Sequence, residues 1–148
     1  MLALRANERL EPDGIKSAQE NQMRQYIDTG AVFITTDLRR AVDFYTEKLG
    51  FTCEADWSVN PTFLICQREG AAIMLKQANQ APDPLRKFTP GLDLMDAYVW
   101  VRDIKALEED FRQRKTPVTE GPLKREYGCT EIAVHDPDGR RIVFGHCP

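Results

Sequence analysis

The sequence predicts an α+β fold of two tandem βαβββ modules, in which the strands form a curved, barrel-like mixed sheet with the helices outside. Both halves of the chain contain one strand-like run, one helix-like run and three further strand-like runs, in that order. The segments GAVFITTDLRRAVDFY and DAYVWVRDIKALEEDF also align at a constant offset of 66 positions, from Gly30 to Asp96. Because such a unit buries one sheet face under its helix, two units predict a hollow between their free faces.

The first module is predicted to span residues 27–79. The alternation in AVFITTD indicates a strand, and LRRAVDFYTEKLGF has the apolar spacing of a helix that ends at Gly50. Asp37 lies just before this helix, where its side chain is expected to cap the first turn. The three strands that follow are FTCEADWSV, TFLICQR and AAIMLKQ, with turns at Asn60-Pro61 and Glu69-Gly70.

The second module is predicted to span residues 94–147, after a polar, proline-rich linker at 80–93. Its elements are the strand DAYVWVRD, the helix IKALEEDFRQRK capped by Asp103, and the strands PVTEGPL, CTEIAVH and RRIVFGH. Alternation in the first of these strands places Ala97 and Val99 on a core side and Tyr98 and Trp100 on the other. Both modules belong to one domain, residues 27–148. Residues 1–26 lack a clear period, and we expect an extension that is partly disordered or packs across a partner subunit.

Composition and charge restrict the class of protein. The 148 residues suffice for one domain with a real core, and no apolar run has the length of about 20 residues that a membrane span requires. The N-terminus does not resemble a secretory signal, so we expect a cytoplasmic protein. The net charge is −3 and the basic residues form no stripe, which argues against nucleic acid as a partner. The four cysteines form no C-x-x-C pair, and we expect them to be free thiols.

Two segments resemble the vicinal oxygen chelate superfamily, which includes glyoxalase I, extradiol dioxygenases and the bleomycin-resistance proteins. VFITTDLRRAVDFYTEKLGF is similar to the family's opening strand and helix with F-Y-x-x-x-L-G-F, and TEIAVHDPDGRRIVFG is similar to its closing hairpin with D-P-D-G at the turn. The resemblance covers about residues 27–146. It implies paired βαβββ modules and a homodimer whose clefts are built from both chains.

The resemblance also implies where a metal ion would be bound in the enzymes of the family. The four matching positions here are Gly30, Met74, Asp96 and Val143, and only Asp96 offers a donor that a divalent cation prefers. We therefore predict no metal, no other cofactor and no catalytic residue of the family's kind. Two alternatives remain open at this point. One is a relocated metal site of Asp96, Glu131 and His135 in a lyase, isomerase or dioxygenase, and the other is metal-free catalysis by Cys129, Glu131 and His135 on one strand face.

The family register and strand alternation together predict the residues that line the hollow. These candidate ligand-binding residues are Val32, Ile34, Trp57, Phe63, Asp96, Tyr98, Trp100, Tyr127, Glu131, His135 and Val143. Aromatic faces beside a carboxylate suit flat, cationic or hydrophobic small molecules. We therefore expect a metal-free binding protein of the bleomycin-resistance type, which sequesters such a ligand in a dimer cleft.

Structural roles for several of these residues compete with the binding role. Tyr98 and Trp100 would equally fill the space between the halves, in which case the domain would serve protein association only. Glu131 would form a salt bridge with Arg125 or Arg141, and His135 would brace the turn beside it.

Overall fold

A computed structural model describes Gln25, residues 28–80 and residues 94–148. The predicted extension, apart from Gln25, and residues 81–93 of the predicted linker lie outside the described residues. Within them, the α+β fold of two tandem βαβββ modules is confirmed. The strands form two separate four-stranded sheets, which are not closed into a barrel.

The first module contains β1, α1, β2, β3 and β4. Their bounds are β1 Ala31–Thr35, α1 Leu38–Asp43, β2 Thr52–Cys53, β3 Phe63–Arg68 and β4 Ala71–Gln77. The sheet order is β1-β4-β3-β2, with β1 parallel to β4 and the other pairs antiparallel.

The second module repeats this arrangement. Its elements are β5 Ala97–Trp100, α2 Ile104–Gln113, β6 Val118–Lys124, β7 Thr130–His135 and β8 Arg141–His146. The order is β5-β8-β7-β6, with β5 parallel to β8. β1 and β5 therefore each form one edge of their sheet, and β2 and β6 form the other edges.

Both helices begin at the predicted aspartates. The Asp37 carboxylate accepts a hydrogen bond from Arg40 N (3.0 Å), and the Asp103 carboxylate accepts from Lys105 N (2.9 Å) and Ala106 N (3.1 Å). After Asp43 the first helix widens into a π-helical turn at Phe44–Lys48. It ends at Gly50, whose φ of +70° is the left-handed conformation that favours glycine at this position.

The core lies between the helices and one face of each sheet. Tyr45 and Phe111, which are equivalent in the repeat, are each no more than 1% exposed, and Phe111 packs edge-on against Phe144 at 5.2 Å. Ala97 and Val99 pack against this core, which confirms the predicted sidedness of β5.

One predicted strand of the first half was wrong in its extent. The run FTCEADWSV forms a strand only at Thr52–Cys53, and Trp57–Val59 form a 3₁₀ turn in which Asp56 accepts from Ser58 N. The polar residues between them favour a local capping turn over continued pairing.

The cysteines are not free thiols. Cys53 pairs with Cys66, and Cys129 pairs with Cys147. The first pair joins register partners of β2 and β3. The second lies one position beyond the Thr130–His146 pair, at the open end of the β7–β8 hairpin. Antiparallel pairing therefore brings together cysteines that are distant in sequence.

Candidate functional site

Each sheet has a second face, opposite the core, which we call its concave face. On the first sheet this face carries mainly apolar side chains that alternate with the core residues. They are Val32 and Ile34 of β1, Phe63 and Ile65 of β3, and Ala72 and Met74 of β4. Val32 is 58% exposed and Ile65 46%, so this face is an exposed apolar surface.

The concave face of the second sheet is polar and aromatic. Tyr98 and Trp100 project from β5, Glu131, Ala133 and His135 from β7, and Arg141, Val143 and Gly145 from β8. The neighbouring strand β6 and the loop after it add Glu120, Arg125 and Tyr127 through their contacts with this set.

Glu131 is the centre of a hydrogen-bond network on this face. Its side chain is 2% exposed, and one carboxylate oxygen accepts from the hydroxyls of Tyr98 (3.0 Å) and Tyr127 (2.5 Å). The other oxygen accepts from Arg125 Nε at 2.8 Å. A buried carboxylate with three donors is held in one orientation, and it fixes both phenols in turn.

These hydrogen bonds keep Glu131 ionised. Burial raises the pKa of the Glu131 carboxyl, but the hydrogen bonds from Tyr127, Arg125 and Tyr98 outweigh burial and hold that pKa below its usual value. Burial and the bond to Glu131 raise the pKa of the Tyr98 hydroxyl, which stays protonated as a donor.

The charges of the network are balanced. Arg125 also pairs with Glu120 at 3.1 Å, and Glu120 pairs with Arg141 at 2.6 Å. Glu131 is therefore ion-paired with Arg125, one of the two partners considered from the sequence, and is not a lone acid awaiting a cationic ligand.

Tyr98 reaches Glu131 by lying across Gly145. A Cβ added to Gly145 would lie 2.5 Å from Tyr98 Cζ and even closer to the hydroxyl oxygen. Because Gly145 has no side chain, the Tyr98 phenol can pass over β8 and reach Glu131. The Tyr98 ring also contacts the Trp100 ring, with centroids 5.0 Å apart, while Trp100 remains 71% exposed.

The structure brings most of the predicted ligand-binding residues onto the two concave faces. Asp96, Tyr98, Trp100, Glu131, His135 and Val143 lie along β5, β7 and β8, and Tyr127 joins them through Glu131. Val32, Ile34 and Phe63 lie on the first sheet. Trp57 does not join them, because it packs against the core cluster with the Arg39 guanidinium 4.0 Å from its ring centroid.

The positions that hold metal in the family do not fit a metal ion here. Gly30, Met74 and Val143 supply no suitable donor. The Asp96 carboxylate accepts from Arg141 N at 2.7 Å and lies 3.6 Å from Arg140 Nη1, so it organises the β5–β8 end.

The two alternative catalytic arrangements also find no support in the geometry. Glu131 is engaged as described, and His135 Nδ1 lies 3.1 Å from Thr119 Oγ1, so His135 braces β7 against β6. Within the described ranges no three His, Cys, Asp or Glu side chains are grouped closely enough to hold a metal ion. Cys129 is in a disulfide and is not a free nucleophile.

Some residues of the site were not identified from the sequence. Glu120 and Gly145 were missed, as was Ile65, which shares its face with Phe63. A glycine inside a strand run such as RRIVFGH is a usable signal, because it often marks a close approach by another group. The role of Glu120 depends on strand pairing and has no local signal.

Comparison with known proteins agrees with this architecture. Residues 28–144 match the Glyoxalase/Bleomycin resistance protein/Dioxygenase superfamily. The match covers most of the chain, with its paired βαβββ modules, and the protein belongs to this superfamily. No curated sequence matches the chain.

Solved structures similar to this chain include three bacterial proteins. A glyoxalase/bleomycin resistance protein/dioxygenase from Alicyclobacillus acidocaldarius has a TM-score of 0.64 at 18% identity, covering 81% of this chain and 90% of its own. A glyoxalase/bleomycin resistance protein from Catenulispora acidiphila has a TM-score of 0.61 at 19% identity, and TioX from Micromonospora sp. ML1 has 0.61 at 16%. Each of these two covers 82% of this chain and 98% of its own. At such identities the likeness concerns the fold.

Proposed function

We propose that this protein is a small-molecule binding member of the superfamily that works without the family's metal ion. The ligand is a hydrophobic or cationic aromatic molecule, for which bleomycin-like antibiotics are one possibility, and the role is sequestration, as in antibiotic resistance. The observation that carries the proposal is the exposed pair Trp100 and Tyr127, which flank the buried Glu131–Tyr98 network.

The balanced charges decide how a cation would be held. Because Arg125 neutralises Glu131, the attraction would come chiefly from the ring faces, worth about 0.5 to 2 kcal/mol per contact. The part of Glu131 is to position Tyr98 and Tyr127. Binding should therefore respond to removal of a ring more than to loss of the carboxylate charge.

A homodimer completes the proposed cleft. The exposed apolar side chains Val32, Phe63 and Ile65 on the first sheet would be covered by the second sheet of a partner subunit, so that both concave faces line one site. Sedimentation velocity at micromolar concentration should give a dimer, and Val32→Glu should shift the protein to monomer.

Binding is tested by fluorescence quenching with berberine, a flat cationic aromatic molecule. In a Trp57→Phe background the remaining tryptophan is Trp100, and titration should quench its emission saturably. Isothermal titration calorimetry should then show that Trp100→Ala weakens berberine binding about 2- to 30-fold, equivalent to one ring contact. Equal affinity of the wild type and Trp100→Ala, or no binding across a panel of such cations, would contradict the proposal.

The cellular location is also part of the proposal. No helix among the described residues is long and apolar enough to cross a membrane. The predicted cytoplasmic location conflicts with two disulfides, since reducing compartments keep thiols free. Alkylation of thiols in intact cells before lysis distinguishes a cytoplasmic location from an oxidising compartment. Protein in the cytoplasm should have reduced cysteines and should therefore become alkylated.

A further inference from the structure

A cavity of about 870 Å³ lies where the two modules meet, between the edge strands β1 and β5. Its walls include the core-side residues Val99 of β5 and Val101 just after it, Ile73 of β4, and Ala106 and Leu107 of α2. The rings of Tyr98 and Trp100 border it at the edge of β5. It lies mainly on the helix side of the sheets, in contrast to the concave faces.

The internal repeat gives this joint a counterpart, which we call the α1 joint. There α1 and the π-helical turn after it pack on the β7–β8 turn, where Tyr45 donates to Asp136 (2.9 Å) and Arg40 pairs with Asp138 (3.0 Å). The equivalent joint brings α2 to the β3–β4 turn, where Arg68 pairs with Asp110 at 2.8 Å.

The repeat partners on the two helices differ in size. An offset of 66 positions from Arg40 leads to Ala106, and the same offset from Phe44 leads to Asp110. Both replacements remove side-chain volume on the helix that faces the cavity, although Ala41 is replaced by Leu107. Arg40, which reaches Asp138 at the α1 joint, thus has only a methyl side chain as its repeat partner. That partner, Ala106, is exposed and lines the cavity, so it stands at the cavity mouth.

Three acidic residues of the lining are engaged within the chain, and the exposed Glu69 and Arg102 also line the cavity. Asp110 is paired with Arg68 and with Arg114, Asp103 caps α2, and Asp28 accepts from Thr29 N. The remaining surface is mostly aliphatic and aromatic. A ligand with its own charge would gain little there, whereas an apolar ligand would gain from the removal of its surface from water.

We propose that this inter-module cavity is a second ligand site, which takes an uncharged, largely apolar small molecule. The volume is within the range of about 300–1,000 Å³ of small-molecule sites. The inference does not rest on the function proposed for the concave faces, because most of the cavity walls lie on the helix side of the sheets. Ala72, Tyr98 and Trp100 border both sites.

Nile red, an uncharged dye whose emission shifts to the blue in apolar surroundings, tests the proposal on the full chain. The wild type should bind one dye per chain. Ala106→Trp, which fills the mouth, should weaken binding at least tenfold. Lys105→Trp is the matched control, because it adds the same ring at the adjacent exposed position outside the cavity lining and should leave binding unchanged.

A second control separates the two sites. Val32→Glu alters the concave face without touching the cavity lining, and Nile red binding should survive it. Circular dichroism confirms that each variant is folded. The proposal is overturned if the wild type does not bind the dye, or if Ala106→Trp binds it normally. Loss of binding in Val32→Glu but not in Ala106→Trp would overturn it too, since the dye would then lie on the concave face.

Discussion

Replacing Gly145 by alanine tests the geometry of the Tyr98–Glu131 contact directly. The added Cβ would lie 2.5 Å from Tyr98 Cζ, so the phenol must move away from β8. Moving it breaks the hydrogen bond to the ionised Glu131, worth about 1.5–3 kcal/mol, and disturbs the ring contact with Trp100, worth about 0.5–1.5 kcal/mol. Alanine in a strand offsets about 0.5–1 kcal/mol of this loss. We expect a net destabilisation of about 1–4 kcal/mol.

The measurement is equilibrium unfolding in urea, followed by circular dichroism at fixed protein concentration. Gly70→Ala is the control, because no atom lies within 4 Å of a Cβ added there, and it should change the free energy of unfolding by less than about 0.5 kcal/mol. The Gly145→Ala change should also cost less in a Tyr98→Ala background, where the ring is gone. The reasoning is refuted if Gly145→Ala is as stable as the wild type, or if its cost is the same with and without the Tyr98 ring.

Two further predictions concern acid stability and the disulfides. Because the pKa of Glu131 is lowered in the folded state, its stabilising contribution is present above its ordinary pKa of 4.5 and is lost as the pH falls below that value. The stability difference between wild type and Glu131→Gln should therefore shrink between pH 6 and pH 3 in urea titrations, and a constant difference would contradict it. The double substitution Cys129→Ser and Cys147→Ser removes a disulfide between residues 18 positions apart. It should lower the free energy of unfolding by about 3 kcal/mol. Unreduced, denatured wild type should give no reaction with a thiol reagent, and four reactive thiols before reduction would contradict both disulfides.

The fold was predictable because its signals are local and repeated. Period-2 and period-3.6 patterns, Asp37 and Asp103 at the helix starts and Gly50 at a helix end each act over a few residues. Because the two modules repeat the same order of elements, each element of one module supports the prediction of its equivalent in the other. The run FTCEADWSV misled because its apolar content resembles a strand, while its aspartate makes a capping turn.

The candidate site was predictable in part. Alternation along β5 correctly separated Tyr98 and Trp100 from the core side, since sidedness follows from backbone geometry alone. Trp57 was misplaced because it lies in a turn, where alternation does not apply. The sequence predicted Arg125 or Arg141 as the salt-bridge partner of Glu131. Only the folded structure shows that the partner is Arg125.

The sequence by itself determined the module order, the helix caps and the lack of suitable donors at three of the four positions that correspond to the family's metal ligands, because each depends on residue type at a given position. Tertiary structure alone decided which cysteines pair, which charges neutralise Glu131 and where a cavity lies between the modules. Those features depend on groups far apart in the chain, and their distances are set by strand pairing and module packing. Ala106 illustrates the difference, since it is an ordinary helix residue in sequence and the edge of a cavity in the folded protein.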